Sequence, residues 1–430
     1  MTFRQPDFHA GAWERKSIEE VCTSVTSGGT PSRKNMDFYS GGTIPWIKTK
    51  ELNDGLLFDS EEKITEVALS SSSAKMLPKN TILLAMIGAT VGKLGILGRP
   101  ASCNQNSAAL IVDDKVADYR FLFYTLLANR EKLIGLAAGG AQAILSGRNI
   151  KQIEFLFPDL RAQAVIGTTL AVLDEKIQIN NRLSKTLEDI AQSIFKSWFI
   201  DFDPVKAKMA GEKPVGMDDA TAALFPDSLE DSELGMIPRG WLVEEFGSVS
   251  NLLMGQSPPG DTYNEDGAGL PFYQGKTDFG ARFPKRRVYC SSGNRLASAG
   301  ETLISVRAPV GDLNQATEIC VIGRGVASAL HKSGSQSYSF SLLTSLQPKL
   351  AYYNGEGTVF GAINKLDFQS MKVVEPSKSV LTEFDQLTSP INIQIRTLLL
   401  QTEVLTALRD SLLPRLISGE LQIPEEMLVT

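Results

Sequence analysis

The chain repeats itself. A segment that opens at Trp13 and runs through Ser27-Gly28-Gly29-Thr30-Pro31 returns at Trp241, followed by Gly255-Gln256-Ser257-Pro258-Pro259. Later landmarks keep their order. Ile44-Pro45-Trp46-Ile47-Lys48 answers to Leu270-Pro271-Phe272-Tyr273-Gln274, and Thr81-Ile82-Leu83-Leu84 to Thr302-Leu303-Ile304-Ser305. Val91-Gly92 matches Val310-Gly311, and Phe155-Leu156-Phe157-Pro158 matches Val373-Val374-Glu375-Pro376. Glycine and proline punctuate most loops, so one match means little. A colinear series restricts the chain to two copies of one module, and points to a protein that reads two copies of something.

A chain of 430 residues has room for two or three domains, and 43% hydrophobic residues supply their cores. The N-terminus is polar, and the longest apolar run, Ile82 to Ile87, is too short to span a bilayer. The expected location is therefore the cytoplasm, with no membrane partner. Cys22, Cys103, Cys290 and Cys320 show no paired spacing, which predicts buried free thiols rather than disulfides or a metal site. The net charge of −6 is carried by one stretch, Glu212 to Glu233, with seven acids against the single base Lys213. The remainder is formally neutral, which leaves room for basic faces on the modules.

Each module mixes short β-branched or aromatic runs (Thr81 to Met86, Ala108 to Val112, Thr302 to Val306) with helical spacing over Tyr119 to Leu133 and Ser339 to Leu350. The fold class is α+β. After each module comes a different pattern. From Asp159, a candidate N-cap, apolar residues recur at Ile166, Leu170, Leu173, Ile177, Leu187, Ile190, Ile194 and Trp198. The second copy places Phe384, Ile391, Ile395, Leu405 and Leu408 at matching positions.

From Asp159 to Ile200 such a helix would extend roughly 60 Å at ~1.5 Å per residue. Two apolar stripes of equal length predict a long antiparallel two-helix coiled coil with pseudo-twofold symmetry, separating two tandem globular domains. The expected divisions are 1–157 and 239–376 for the modules, 158–203 and 377–421 for the helices, 204–238 for a connector ordered only in part, and 422–430 for a tail. Asn180 and Ser184 fall near the middle of the first stripe, either as register-setting buried polar groups or as solvated positions. Pro390 is expected to kink or break the second helix.

Three strings carry a family resemblance: Phe195-Lys196-Ser197-Trp198-Phe199-Ile200-Asp201-Phe202-Asp203-Pro204-Val205-Lys206-Ala207-Lys208, Leu234-Gly235-Met236-Ile237-Pro238-Arg239-Gly240-Trp241, and Leu412-Leu413-Pro414-Arg415-Leu416-Ile417-Ser418-Gly419-Glu420-Leu421. With the duplicated plan, the chain resembles the specificity subunit of type I restriction-modification systems over essentially its whole length. The resemblance implies two target recognition domains reading the halves of a split double-stranded DNA sequence. It also implies a helical pair that spaces them and docks two modification (adenine methyltransferase) subunits, and through those the restriction (translocase and nuclease) subunits. It implies a non-catalytic subunit with no cofactor of its own.

The residues agree with a non-enzyme. The nearest approach to an amino-methylation motif, Ser257-Pro258-Pro259-Gly260, lacks the aromatic that stacks on a flipped base. Gly355-Glu356-Gly357-Thr358-Val359-Phe360-Gly361 lacks the lysine of a phosphate loop, and His9 and His331 are too few for acid–base or metal chemistry. Asp201 and Asp203 fit a structural role, stopping the helix before Pro204 and bonding backbone donors. Trp198, Phe199 and Phe202 suit either core packing or a docking face.

DNA contact calls for Lys and Arg against phosphates and for Arg, Gln, Asn or Lys against base edges. The candidates in the first module are Lys48, Lys50, Asn104, Gln105, Asn106, Gln142 and Arg148; in the second they are Gln274, Lys276, Lys285, Arg286, Arg287, Arg307 and Arg324. Two competing readings stand beside this one. A coiled-coil interaction scaffold without DNA binding predicts no clustered positive charge on these loops, and a degenerate methyltransferase predicts S-adenosylmethionine binding by the isolated chain.

Overall fold

A computed structural model describes residues 13–137, 144–354, 361–424 and 426. The chain divides into two compact units, Met1–Asn181 with Leu400–Thr430, and Arg182–Leu399. Each contains one module and half of each of two forty-residue helices, Leu160–Phe199 and Lys378–Ile417.

In the first unit a five-stranded sheet runs in the order Cys22–Ser27, Ser107–Val112, Ile82–Ala85, Leu94–Leu97, Gly55–Leu57. In the second, Ser250–Met254, Val326–His331, Thr302–Ser305 and Leu313–Gln315 repeat the first four places. The rarer connection repeats too. Ile44–Ile47 lies parallel to Ser102–Cys103, and Leu270–Tyr273 lies parallel to Cys320–Ile322. An opening strand closes antiparallel on the last strand of each module, Glu14–Ser17 on Glu154–Phe157 and Leu242–Glu245 on Lys372–Glu375. The two modules thus share one topology.

The predicted module helices form with side-chain caps. Asp118 accepts from the amides of Arg120 and Phe121 to start Tyr119–Ala128, and Ser335 accepts from Tyr338 to start Gln336–Ala351. The first ends at Asn129, and a separate turn, Arg130–Gly135, follows it.

Within each unit the long helices pair antiparallel. In the first, Ile166 and Leu170 share a core with Leu416 and Ile417, Asp174 accepts from Arg409 Nη1 at 2.6 Å, and Asn180 Nδ2 approaches Gln401 Oε1 at 3.4 Å. Numbers rise on one helix as they fall on the other. In the second unit the first two turns of Lys378–Ile417 meet the last turns of Leu160–Phe199, with the Phe384 ring 5.9 Å from Phe195, 6.0 Å from Trp198 and 5.1 Å from Phe199.

Two stripe residues belong elsewhere. Ile190 and Leu408 are 44% and 45% exposed, while Ala191 and Phe195 are buried. The seam keeps alternating four- and three-residue steps through Asn180 and Ser184, at 0% and 4% exposure, and only afterwards shifts toward Ala191 and Phe195. Asn180 and Ser184 are therefore seam residues rather than solvated ones. Pro390 does not break its helix. Both Pro390 and Gln386, whose carbonyl loses its intrahelical donor, lie on the exposed face, so water can take the donor's place.

The connector is more ordered than its composition implies. It forms helices Asp203–Met209 and Asp219–Ala223 and a hairpin of Leu229–Ser232 with Gly235–Pro238. Val205, Phe225 and Ile237 enter the core with Trp198, Phe199, Phe202 and Trp241, and Lys208 Nζ ties down the carbonyls of Ala222 and Phe225. The three aromatics at the end of the first helix are core. Asp201 and Asp203 bond side chains rather than backbone donors: Asp201 pairs with Lys196, and Asp203 accepts from Ser197 Oγ at 2.7 Å.

In the first unit Asp174 also accepts from Tyr124 Oη at 2.6 Å, which joins module, first helix and Arg409 in one partly buried network. Replacing Arg409 by Ala is expected to lower stability by roughly 2 kcal/mol, allowing for partial exposure. Urea unfolding of the purified chain measures it, and a loss within about 0.5 kcal/mol of zero, the usual range for an uninvolved surface change, would show that the network does not hold the helix pair.

Candidate nucleic-acid interface

The repeated Gly-containing loops are held by one strand of each parallel pair and by the antiparallel strand that follows it. Gly28 N donates to Ser107 O at 3.2 Å and Gly29 N to Cys103 O at 3.0 Å; Gly255 N donates to Val326 O at 2.9 Å and Gln256 N to Ile322 O at 3.0 Å. A Cβ at Gly28 would lie 2.2 Å from the carbonyl oxygen of Cys103, and one at Gly255 equally close to that of Gly323. Only glycine permits that approach. A tyrosine latches each loop, Tyr39 Oη donating to Pro31 O and Tyr263 Oη to Pro258 O, both at 2.7 Å. Each tyrosine packs on the aromatic of the parallel strand, Tyr39 on Trp46 and Tyr263 on Phe272, with centroids 6.1 and 4.7 Å apart.

This frame brings candidates from distant parts of the sequence together. In the first unit Asn104 N donates to Ile47 O at 3.0 Å, which sets Lys48 beside the Asn104-Gln105-Asn106 turn. Gln105 is exposed and bonds Thr30 Oγ1. Asn104 is half-buried, accepting from Ser107 Oγ at 3.2 Å, and Asn106 is half-buried too. Lys48 and Arg33 share Glu62, with Arg33 Nη1 2.6 Å from its carboxylate. Hydrogen bonds from Arg33 and then Lys48 hold the Glu62 carboxyl below the usual carboxylate range. The Arg33 guanidinium carbon also sits 4.7 Å from the Tyr39 ring centroid. Lys50 pairs with Glu61, whose hydrogen bond raises the lysine's pKa. Arg148 is exposed on Gly147–Lys151, a short helix entered from Leu145, whose amide donates to Met86 O at 2.8 Å. Gln142 lies outside the described residues.

In the second unit Gly323 N donates to Tyr273 O at 2.8 Å, and a Cβ at Gly325 would lie 2.2 Å from Gln274 O. Gln274 and Arg324 are thus neighbours, both exposed, at the places held by Lys48 and Gln105 in the first unit. The buried Asp278 organises the loop that follows, accepting from Gln274 N at 2.7 Å and from Arg287 Nε at 3.3 Å. Lys276 pairs with Asp312 at 2.9 Å and Arg286 with Glu318 at 2.6 Å. Arg307 is exposed and its residue bridges to Ala362. Among the described residues, Arg148, Lys285, Arg307 and Arg324 have no carboxylate partner.

Sequence reasoning passed over Arg33, Tyr39 and Thr30. The signal was available, because Tyr39 and Tyr263 follow Pro31 and Pro258 in both copies. His331 is structural: it is buried, bonded to Glu375 at 3.1 Å and to Ser333 Oγ at 2.8 Å. The cysteines are free thiols, and burial pushes Cys22, Cys103 and Cys320 up to about 12. Among the described residues no helix is long and apolar enough to cross a membrane.

Comparison with known proteins agrees with this geometry. The model of the type I restriction modification DNA specificity domain matches residues 11–189. The MjaIX specificity subunit of Methanocaldococcus jannaschii is 28% identical, over 96% of this chain and 94% of its own length. The HindI specificity subunit of Haemophilus influenzae is 23% identical, over 95% and 99%. The crystal structure of a type I S subunit from M. genitalium shares the fold, with a TM-score of 0.64 at 16% identity, over 97% of this chain and 99% of that one. Duplicated topology, duplicated loop frame and full-length relatives point the same way: the chain is similar along its whole length to the specificity subunits of type I restriction-modification systems, and residues 11–189 match their DNA specificity domain.

Proposed function

We propose that the chain reads a split DNA target, one half-site per module, through the loop clusters around Trp46 and Phe272. The observation that carries this reading is one loop frame built twice and furnished differently. Where the first module presents Lys48 and Gln105, the second presents Gln274 and Arg324. A repeated backbone with unequal donors and acceptors suits two half-sites of different sequence. Lys50, Asn104, Asn106, Gln142 and Arg148 serve the first half-site. Lys276, Lys285, Arg286, Arg287 and Arg307 serve the second. The helical pair sets the gap between half-sites, as fixed spacing does in dimeric DNA readers.

The helices also dock two modification subunits, which bring the restriction subunits with them. Val172, Ile179, Leu183 and Ile190 recur along one side of the first helix, each between 42% and 56% exposed. Ile393, Leu400 and Val404 on the second are exposed at 45% to 67%. Apolar side chains repeated at helical spacing on a solvent face fit a covered surface.

The primary test is methylome sequencing of a host carrying this chain and its cognate modification subunit, against one lacking only this chain. A split methylated-adenine motif that depends on the chain is expected; an active partner with no dependent motif would favour a scaffold without DNA binding. Replacing Lys285, Arg286 and Arg287 by Ala should weaken DNA binding and flatten the slope of log affinity against log salt by roughly 2 to 3. An unchanged slope would return these residues to ordinary surface. Deleting one heptad from each helix, about 10 Å of rise, should shorten the gap by roughly three base pairs at ~3.4 Å each and leave both half-sites intact. Altered bases within a half-site would show that the helices are not simple spacers.

A further inference from the structure

The loop from Gln274 to Arg287 carries five of the second module's seven candidates and folds as one internally bonded piece. Besides the Asp278 contacts, Lys285 N donates to Asp278 O at 2.7 Å, Gly280 N to Phe283 O at 3.1 Å and to Asn314 Oδ1 at 3.1 Å, and Asn314 Nδ2 back to Gly280 O at 3.1 Å. Within the loop, between the candidates Lys276 and Lys285, stands Arg282. It is 4% exposed.

Arg282 borders a cavity of about 350 Å³ lined by this loop, by the 185–192 turns of the first long helix, and by Asn392 and Ile395 of the second. Its guanidinium carbon lies 3.2 Å from the Phe340 ring centroid, and Nη2 donates to Asn392 Oδ1 at 3.1 Å. Asn392 Nδ2 in turn donates to Ser337 Oγ at 2.7 Å, and the Arg282 carbonyl accepts from Gln315 N at 2.9 Å. Glu188 supplies the opposing charge. Burial pushes the Glu188 carboxyl up and lowers Arg282 to about 10, while each group's charge acts against the other's shift. The remaining charges around the cavity are matched locally, Lys185 with Asp189 and Lys276 with Asp312.

A buried guanidinium is a poor stabiliser, because desolvation offsets its attraction to a partner, and an apolar residue of similar volume commonly serves the core as well. What a charged, forked side chain adds is position, since it must meet Phe340 and Asn392 together. We propose that Arg282 is a specificity-positioning residue, which seats the 274–287 loop on the long helices and so fixes how the second module presents Gln274, Lys276 and Arg287 to its half-site, without itself reaching DNA. This rests on the DNA-reading function proposed above. Among the described residues the first module shows no such anchor. Its loop meets the first helix where Gly55 passes Gln178, close enough that a Cβ on Gly55 would lie 2.6 Å from Gln178 Nε2. The effect of losing Arg282 is therefore confined to one half-site.

The test uses the chain in complex with its cognate modification subunit, in hosts carrying wild type, Arg282→Lys or Arg282→Met, with methylated sites sequenced. The wild-type arm reports on the DNA-reading assignment alone, because absence of a split motif there is a failure of that assignment and not of Arg282. Given a split motif, methylation at sites with one mismatch should rise on the order of fivefold or more in one half, with the other half and the gap unchanged. A residue that only stabilised the fold would lower methylation at all sites together and leave base preference alone. An unchanged motif in both variants, relaxation of both halves alike, or loss of all methylation in both variants would overturn the proposal.

Discussion

Neither module closes its core without the long helices. Ile166, Leu170, Leu416 and Ile417 belong to the same buried cluster as Ile82, Leu110 and Phe121 in the first unit. Phe195, Trp198, Phe199 and Phe384 do the same with Ile304, Ala327 and Leu342 in the second. An isolated forty-residue amphipathic helix would leave its apolar seam in water, and an isolated module would leave an apolar face uncovered. Burying one against the other satisfies both. Under the proposed function, each recognition loop therefore sits on an element held by that seam, in which Asn180 and Ser184 are buried.

That dependence explains what the sequence made legible. The repeat, the helical spacing after Tyr119 and Ser339, the helix start at Asp159, and the antiparallel seam all follow from local patterns of a few residues. The expectations that failed needed tertiary context. Ile190 reads as a seam residue on hydrophobicity alone, yet the aromatic cluster around Phe195 draws the helix face toward Ala191. The connector's acids and glycines read as loose chain, yet Val205, Phe225 and Ile237 supply enough apolar surface to fold it onto Trp198 and Trp241. Pro390 reads as a kink or a break, and the break does not occur, because on a solvent face the lost hydrogen bond has water to replace it.

The candidate interface was legible as a set of loops and not as a set of contacts. Arg33 and Glu62 lie far apart in the sequence and meet only because the Tyr39 latch folds the first loop onto Trp46. Most of the basic candidates already hold a carboxylate: Lys48, Lys50, Lys276, Arg286 and Arg287 each have one. Such pairs are weak in water when exposed. They keep flexible side chains oriented and offset the positive charge of the free protein, so that, under the proposed function, a phosphate displacing the carboxylate would meet a preorganised cation.

Under the proposed function, the duplicated frame lets specificity vary while the fold stays fixed. Backbone requirements fall on Gly28 and Gly255, on the Tyr39 and Tyr263 latches, and on the parallel strands, where substitution collides with main chain or releases the loop. Side chains at Lys48, Gln105, Gln274 and Arg324 hang from that frame at exposed or loop positions, and their replacement disturbs no core. Read-out and architecture are thereby separated along the chain, except at Arg282. There a residue in the interior bears on the read-out, because the loop it anchors has no other charged hold on the helices among the described residues.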